Sequence, residues 1–314
     1  MEKYAVGVDV GGTSVKMGLF DMKGRLADKW EIPTARENDG ASILSDIAES
    51  ILERIREKGI SQADLLGIGI GVPGAVNNEG NLVGVAVNLG WKDFNIPTAL
   101  RAYINVPVIA ANDANIAAFG EMWQGGGKGH SNVVAVTLGT GVGGGIIIDG
   151  RIITGTTGAA GEIGHIHIVD GETEVCGCGN KGCLEQYASA TGIVRLARRR
   201  LSEDDAPSML RGRELSAKTV FDAVKDKDPV AVEIAKRFGA YLGKGLAAVS
   251  CVANPELFVI GGGVSKAGEI LFDFVVPEFQ KYAFPATKGT GFALATLGND
   301  AGIYGAAGLV LGEV

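Results

Sequence analysis

Two stretches of this chain share one design, and together they constrain the fold more than anything else in it. Residues 8–21, "VDVGGTSVKMGLFD", read as apolar strand, glycine turn, apolar strand, and residues 133–150, "VVAVTLGTGVGGGIIIDG", repeat that order and close on Asp-Gly. Such hairpins, about a hundred residues apart, imply duplicated halves rather than a solenoid, whose repeats are much shorter. Both also exclude two familiar phosphate sites. A P-loop or a dinucleotide fingerprint needs a helix after the glycines, because the helix N-terminus holds the anion. Gly139, Gly141 and Gly144 do satisfy G-x-G-x-x-G, yet a strand follows them.

With 314 residues, 46% of them hydrophobic, the chain can bury a substantial core and is expected to form two domains. A formal charge of −7 argues against wrapping nucleic acid or lying on anionic lipid, since both require a positive field. The basic cluster "RLARRR" at 195–200 reads as a solvated helical face. No apolar run approaches the ~20 residues of a membrane span, and the N-terminus lacks signal-peptide features, so a cytoplasmic protein is expected.

Between the hairpins, residues 41–59 place Ile43, Leu44, Ile47, Ile51, Leu52 and Ile55 on one stripe of a covering helix ending at Gly59. "LLGIGIGVPG" and "VPVIAAND" read as buried strands of a partly parallel sheet. Further on, "EQYASATGIVRLARRRL" and "PVAVEIAKRFGAYLGKGLAAVSCVA" read as helices joined by a polar surface connection. "LFVIGGGVS" reads as the last strand, and "DAGIYGAAGLVLGEV" as a closing helix packing back on the first half.

The turn at Gly11, Gly12 and Thr13 can aim backbone N–H groups and a hydroxyl at an anion, and the turn at Gly139, Thr140 and Gly141 can clasp the same polyphosphate from the other side. Either turn alone also fits a plain tight turn. Asp9 could then face Mg²⁺ through water. Asn112 and Asp113 stand where an apolar strand gives way to a helix, the end of a strand at which ligands gather in α/β sheets, although Asp113 there also fits an ordinary N-cap. In "GEIGHIHIVDGETEVCGCGNKGCLE", Cys176, Cys178 and Cys183 with an upstream histidine offer the closed tetrahedral set that suits structural zinc. His165 and His167 would share one face of a strand, so spacing does not choose between them.

These motifs, in order along nearly the whole chain, resemble the ROK sugar kinases and repressors of the actin-like, sugar-kinase-like ATPase superfamily. The resemblance implies an α/β fold of two lobes with duplicated mixed sheets, covering helices and a ligand cleft between the lobes. Residues 1–115 plus 300–314 would form the small lobe, and 116–299 the large one with the dimer contacts. It further implies that Asp113 is the general base, that Asn112, Glu162, His165 and Glu185 hold the sugar with it, and that His165 is also the fourth zinc ligand. ATP would be held by Asp9, Gly11, Gly12, Thr13, Lys16, Gly139, Thr140, Gly141 and the adenosine loop Gly261, Gly262 and Gly263.

Within the family the segments are most similar to those of bacterial glucokinases, which implies transfer to the 6-hydroxyl of glucose. Ala111 is a minor departure beside the base. Another hexose (mannose, fructose, N-acetylmannosamine or N-acetylglucosamine) or a sugar-sensing regulator are the alternatives, and the first strand begins too early for a DNA-binding domain ahead of it. A chaperone or filament of the superfamily has no use for the zinc cluster. The implied assembly is a homodimer or dimer of dimers.

Overall fold

The computed structural model describes residues 2–86 and 88–312; Met1, Val87, Glu313 and Val314, all within segments assigned above to the small lobe, lie outside the described residues. Two five-stranded sheets carry the fold. The first is built from β1 (Tyr4–Val10), β2 (Ser14–Asp21), β3 (Leu26–Pro33), β4 (Leu65–Val72) and, after two small hairpins of β5 (Ala75–Val76) with β6 (Leu82–Val83) and β7 (Val85–Ala86) with β8 (Trp91–Lys92), β9 (Val108–Asn112). The second contains β10 (Val133–Leu138), β11 (Val142–Ile148), β12 (Arg151–Ile152), β13 (Leu257–Gly261) and β14 (Gly291–Leu294).

Their orders, β3-β2-β1-β4-β9 and β12-β11-β10-β13-β14, are one topology used twice. In each, an antiparallel three-strand meander continues into two parallel strands. Strands β4 and β13 are central and buried on both faces, which is why they read as continuous apolar runs. The Asp-Gly closing the β11–β12 turn has positive φ at both positions, 50° and 71°, as a type I′ hairpin turn requires.

Helix Ile43–Glu57 lays Ile43, Ile47, Ile51 and Ile55 on the first sheet, and burying each of those side chains contributes about 1.5–3 kcal/mol. The closing helix, Ala301–Leu311, covers the opposite face, as its composition predicts. It lies so near that a methyl group on Gly69 would sit 1.8 Å from the Ala306 carbonyl oxygen, and one on Gly305 1.7 Å from that of Ile116. Helix Asp113–Gln124 bridges the halves. Ile116 packs with Ala111 and Ala306, while Ala118 and Phe119 join Val133, Ala135 and Val259 of the second sheet. Among the described residues no helix is long and apolar enough to cross a membrane.

Four local readings are corrected. The last strand is β14, not β13; at four half-buried edge residues it is too short for periodicity to register. Helices Ala217–Lys225 and Ile270–Tyr282 lie in stretches that the sequence reading left unassigned. The histidine segment is no strand: Ile163–His165 forms a 3-10 turn. Finally, "RLARRR" is not a solvated face. Arg200 is buried against Glu233 and Asp204, and Arg195 pairs with buried Glu172, leaving Arg198 and Arg199 exposed.

Candidate functional site

The two glycine turns open from equivalent places in the two sheets. In the β1–β2 turn the Gly11 N–H is consumed by the Ser14 carbonyl (3.0 Å), so its free donors among the described residues are the N–H groups of Gly12 and Thr13. Asp9 stands just before that turn, directly across the ladder from Lys16. Burial pushes its carboxyl up to about 6; the Asp113 charge adds to the rise, and Lys16 opposes it. Lys16 also donates to the Asn299 carbonyl (3.2 Å), reaching the loop ahead of the closing helix.

In the β10–β11 turn, Gly139 N–H donates to the Gly141 carbonyl (3.0 Å) and the Val142 N–H to Glu185 Oε2 (2.9 Å). A methyl group on Gly141 would lie 2.2 Å from that carboxylate oxygen, so any larger residue there would push the Glu185 carboxylate aside. Ser189 caps helix Ala190–Glu203 beside the same turn, with Ala190 N–H on the Gly139 carbonyl and Thr191 Oγ1–H on that of Thr140. Gly262, at φ 84°, lies against Leu138 and brings the loop after β13 to the turn.

The strand-to-helix junction settles the capping question. Asn112 is the N-cap, its Oδ1 accepting from Asn115 N–H (3.1 Å), which leaves Asp113 as the first helical residue. Asp113 Oδ1 accepts from Ala114 N–H (2.8 Å) and Asn112 Nδ2 (3.0 Å). Burial raises the Asp113 carboxyl; those hydrogen bonds pull it down, and the Glu162 charge adds a smaller rise. The second Asn112 amide hydrogen goes to the Gly74 carbonyl (3.0 Å), so one donor anchors this side chain while the other holds Asp113.

Glu162, His165 and Glu185 line one cavity of about 360 Å³ with Gly139, Gly141 and Gly262. A second, of about 450 Å³, is lined by Gly261, Gly262 and Gly263 together with the loop after β14. The β10–β11 turn, the side chains of Glu162, His165 and Glu185, and the third glycine loop thus converge. The charge of Asp113 is felt at Asp9, and that of Glu162 at Asp113.

His165, Cys176, Cys178 and Cys183 present ligand atoms that all lie within 4.8 Å of one another. Cys178 and Cys183 sulfurs are 3.7 Å apart, as are the Cys176 sulfur and His165 Nδ1. A tetrahedron with bonds of about 2.3 Å has edges of about 3.8 Å, so the set is already spaced for a four-coordinate ion with soft ligands. His165 Nε2 faces away, 3.9 Å from Glu162. His167 is outside the cluster, held by the Lys181 carbonyl (2.8 Å) and Asp170 (3.0 Å). Cys251 is exposed and remote from it in sequence.

The sequence reading missed what holds this loop. Gln186 Oε1 accepts from Gly182 and Cys183 N–H (2.8 and 3.1 Å), and its Nε2 donates to the Glu174 carbonyl (3.0 Å). Buried Glu172 accepts from Tyr187 and Arg195. Those partners are 15 and 23 residues apart in sequence, so no local motif announces them.

The model of the ROK family matches residues 5–313. A glucokinase of Halalkalibacterium halodurans is 44% identical, across 98% of this chain and 95% of the relative. Among solved structures, a ROK hexokinase from Thermus thermophilus superposes with a TM-score of 0.80 at 32% identity, covering 98% of this chain and 97% of that one. A ROK family glucokinase from Streptomyces griseus, in complex with glucose and AMPPNP, gives 0.70 at 34% identity, with 98% of each chain covered. The sheet topology, the glycine turns and the full-length match together establish that this chain belongs to the ROK family.

Proposed function

We propose that this protein transfers the γ-phosphate of ATP to the 6-hydroxyl of glucose, giving glucose 6-phosphate and ADP. One observation carries the reading: the β10–β11 phosphate turn shares a cavity with Glu162, His165 and Glu185, so donor and acceptor groups meet in a single space. The relatives named as glucokinases and the neighbour holding glucose with AMPPNP support the same substrates.

In this reading Asp113 is the general base. Its raised carboxyl suits a base that takes a proton from a sugar hydroxyl near neutral pH. As the proton moves to Asp113, the sugar oxygen attacks the γ-phosphorus in line, and the bond to the β-phosphate oxygen breaks. Gly12, Thr13, Lys16, Thr140 and Gly141 hold the phosphates, with Gly11 and Gly139 shaping the turns. Gly261, Gly262 and Gly263 border the adenosine. Asp9 would face the nucleotide's Mg²⁺, which would supply positive charge to neutralise the phosphates. Glu162, His165 and Glu185 bond the remaining sugar hydroxyls, while Asn112 acts first by aiming Asp113.

Zinc fits the His165, Cys176, Cys178 and Cys183 set by ligand type and spacing, and as a structural ion it fixes the loop. With Nδ1 committed there, Nε2 of His165 is left to face the sugar. The small lobe is assigned to 1–115 plus 300–314 and the large lobe to 116–299. The same reading includes a homodimer or dimer of dimers and a cytoplasmic location.

The test is a coupled ADP-release assay with MgATP across glucose, mannose, fructose, N-acetylglucosamine and N-acetylmannosamine. A site built to bond hydroxyls loses about 1–3 kcal/mol for each buried group that an analogue leaves unpaired, so glucose is expected to give the highest kcat/KM. A tenfold or greater preference for another sugar would overturn the glucose assignment.

A further inference from the structure

Glu121 is among the few buried charged side chains, 4% exposed, and no lysine or arginine among the described residues pairs with it. Its carboxylate is instead taken up by backbone. Oε2 accepts from Gly126 N–H (2.9 Å) and Thr296 N–H (3.0 Å), and Oε1 from Leu297 N–H (2.9 Å). Thr296 and Leu297 belong to the loop that leaves β14 for the closing helix, and that loop walls the 450 Å³ cavity opposite Gly261, Gly262 and Gly263. The Ala295 N–H on the Ile260 carbonyl (2.9 Å) ties the start of the loop to β13.

We infer that Glu121 is a positioning residue for the nucleotide. It stands on helix Asp113–Gln124, eight residues beyond Asp113, a rise of about 12 Å along one rigid rod. By fastening the Thr296–Leu297 backbone to that rod, it sets the width of the nucleotide cavity and holds it in register with Asp113. A negatively charged acceptor suits this task because three N–H donors converge on its two oxygens and neither oxygen is left unbonded. Lys16, which donates to the Asn299 carbonyl, holds the same loop from the phosphate side. The inference rests on the proposed assignment of this cavity to ATP.

Glutamine keeps the shape of Glu121 but offers one acceptor oxygen and points an amide N–H at a backbone N–H. Glu121→Gln should therefore raise KM for ATP about tenfold while KM for glucose stays within about twofold of wild type and bound metal is unchanged. Leu297→Pro tests the other end of the bond. At φ −79° the backbone already suits proline, which deletes one N–H donor while the carboxylate stays intact. It should shift KM for ATP in the same direction and decides the matter if Glu121→Gln does not fold. Wild type that uses no ATP would overturn the nucleotide assignment itself. Active wild type combined with an unchanged KM for ATP in the folded variants, or an equal rise for both substrates, would overturn the positioning role alone.

Discussion

Replacing Asp9 with asparagine should stabilise the fold while removing activity. The carboxyl is moved from 3.8 to about 6, chiefly by burial, so the folded state prefers its protonated form. A raised acid favours folding below its unfolded value, and that contribution is lost as pH climbs through the folded one. Between 3.8 and about 6 the penalty for holding the charge grows to about 3 kcal/mol, which is fully present at pH 7.5. Asparagine has nearly the same shape and no charge at any of these values. Its advantage over wild type should be about 3 kcal/mol at pH 7.5, about 1.5 at pH 5 and below about 1 at pH 4. The new amide hydrogens need acceptors, which makes these figures upper bounds. Urea unfolding at the three pH values measures the differences directly. An advantage independent of pH, or a variant less stable than wild type at pH 7.5, would refute the reasoning by showing that the attraction of Lys16 outweighs burial.

The remaining predictions concern the acceptor side and the metal. Asp113→Asn should fold and bind glucose but lose at least about 10²–10⁴ in kcat; activity within tenfold of wild type would leave Asp113 a helix-start residue only. Because both carboxyls are raised, kcat/KM should begin to fall with acid above the ordinary carboxylate range, with the Asp9 limb at about 6. Elemental analysis should find about one zinc per chain, lost in Cys183→Ala and kept in Cys251→Ala. Gly141→Ala displaces the Glu185 carboxylate and crowds the turn proposed to hold phosphate, so KM should rise for glucose and for ATP alike, and an unchanged KM for glucose would remove Glu185 from the sugar site.

The two sheets were legible because each hairpin states its own rule locally. Apolar runs set the strands, and the Gly11-Gly12-Thr13 and Gly139-Thr140-Gly141 runs between them mark the turns, so the duplication was visible before any packing was known, even though Gly143, Gly144 and Gly145 lie inside β11. The closing helix was legible for a different reason. A segment this rich in alanine and glycine beside apolar residues has to pack tightly, and Gly305 does meet the Ile116 backbone. Asn112 and Asp113 could be located but not assigned, because cap and first helical residue differ only in which side chain reaches back to Asn115.

What could not be read depends on partners distant in sequence. His165 and His167 are equivalent in a strand and distinct in the 3-10 turn that forms, a turn fixed by contacts such as that of Gly164 with Val142. Arg200 reads as one more surface charge until Glu233, 33 residues on, closes over it. The same holds for Glu121, whose partners Thr296 and Leu297 are 175 and 176 residues away and bond through backbone, so neither residue's side chain carries a signal. A buried carboxylate must nevertheless be satisfied somewhere, because an unpaired one would cost several kcal/mol. An acidic residue deep in an otherwise apolar helix pattern, as in "ANIAAFGEMW", is therefore itself the legible sign that a distant backbone segment is being held, even though the sequence does not say which.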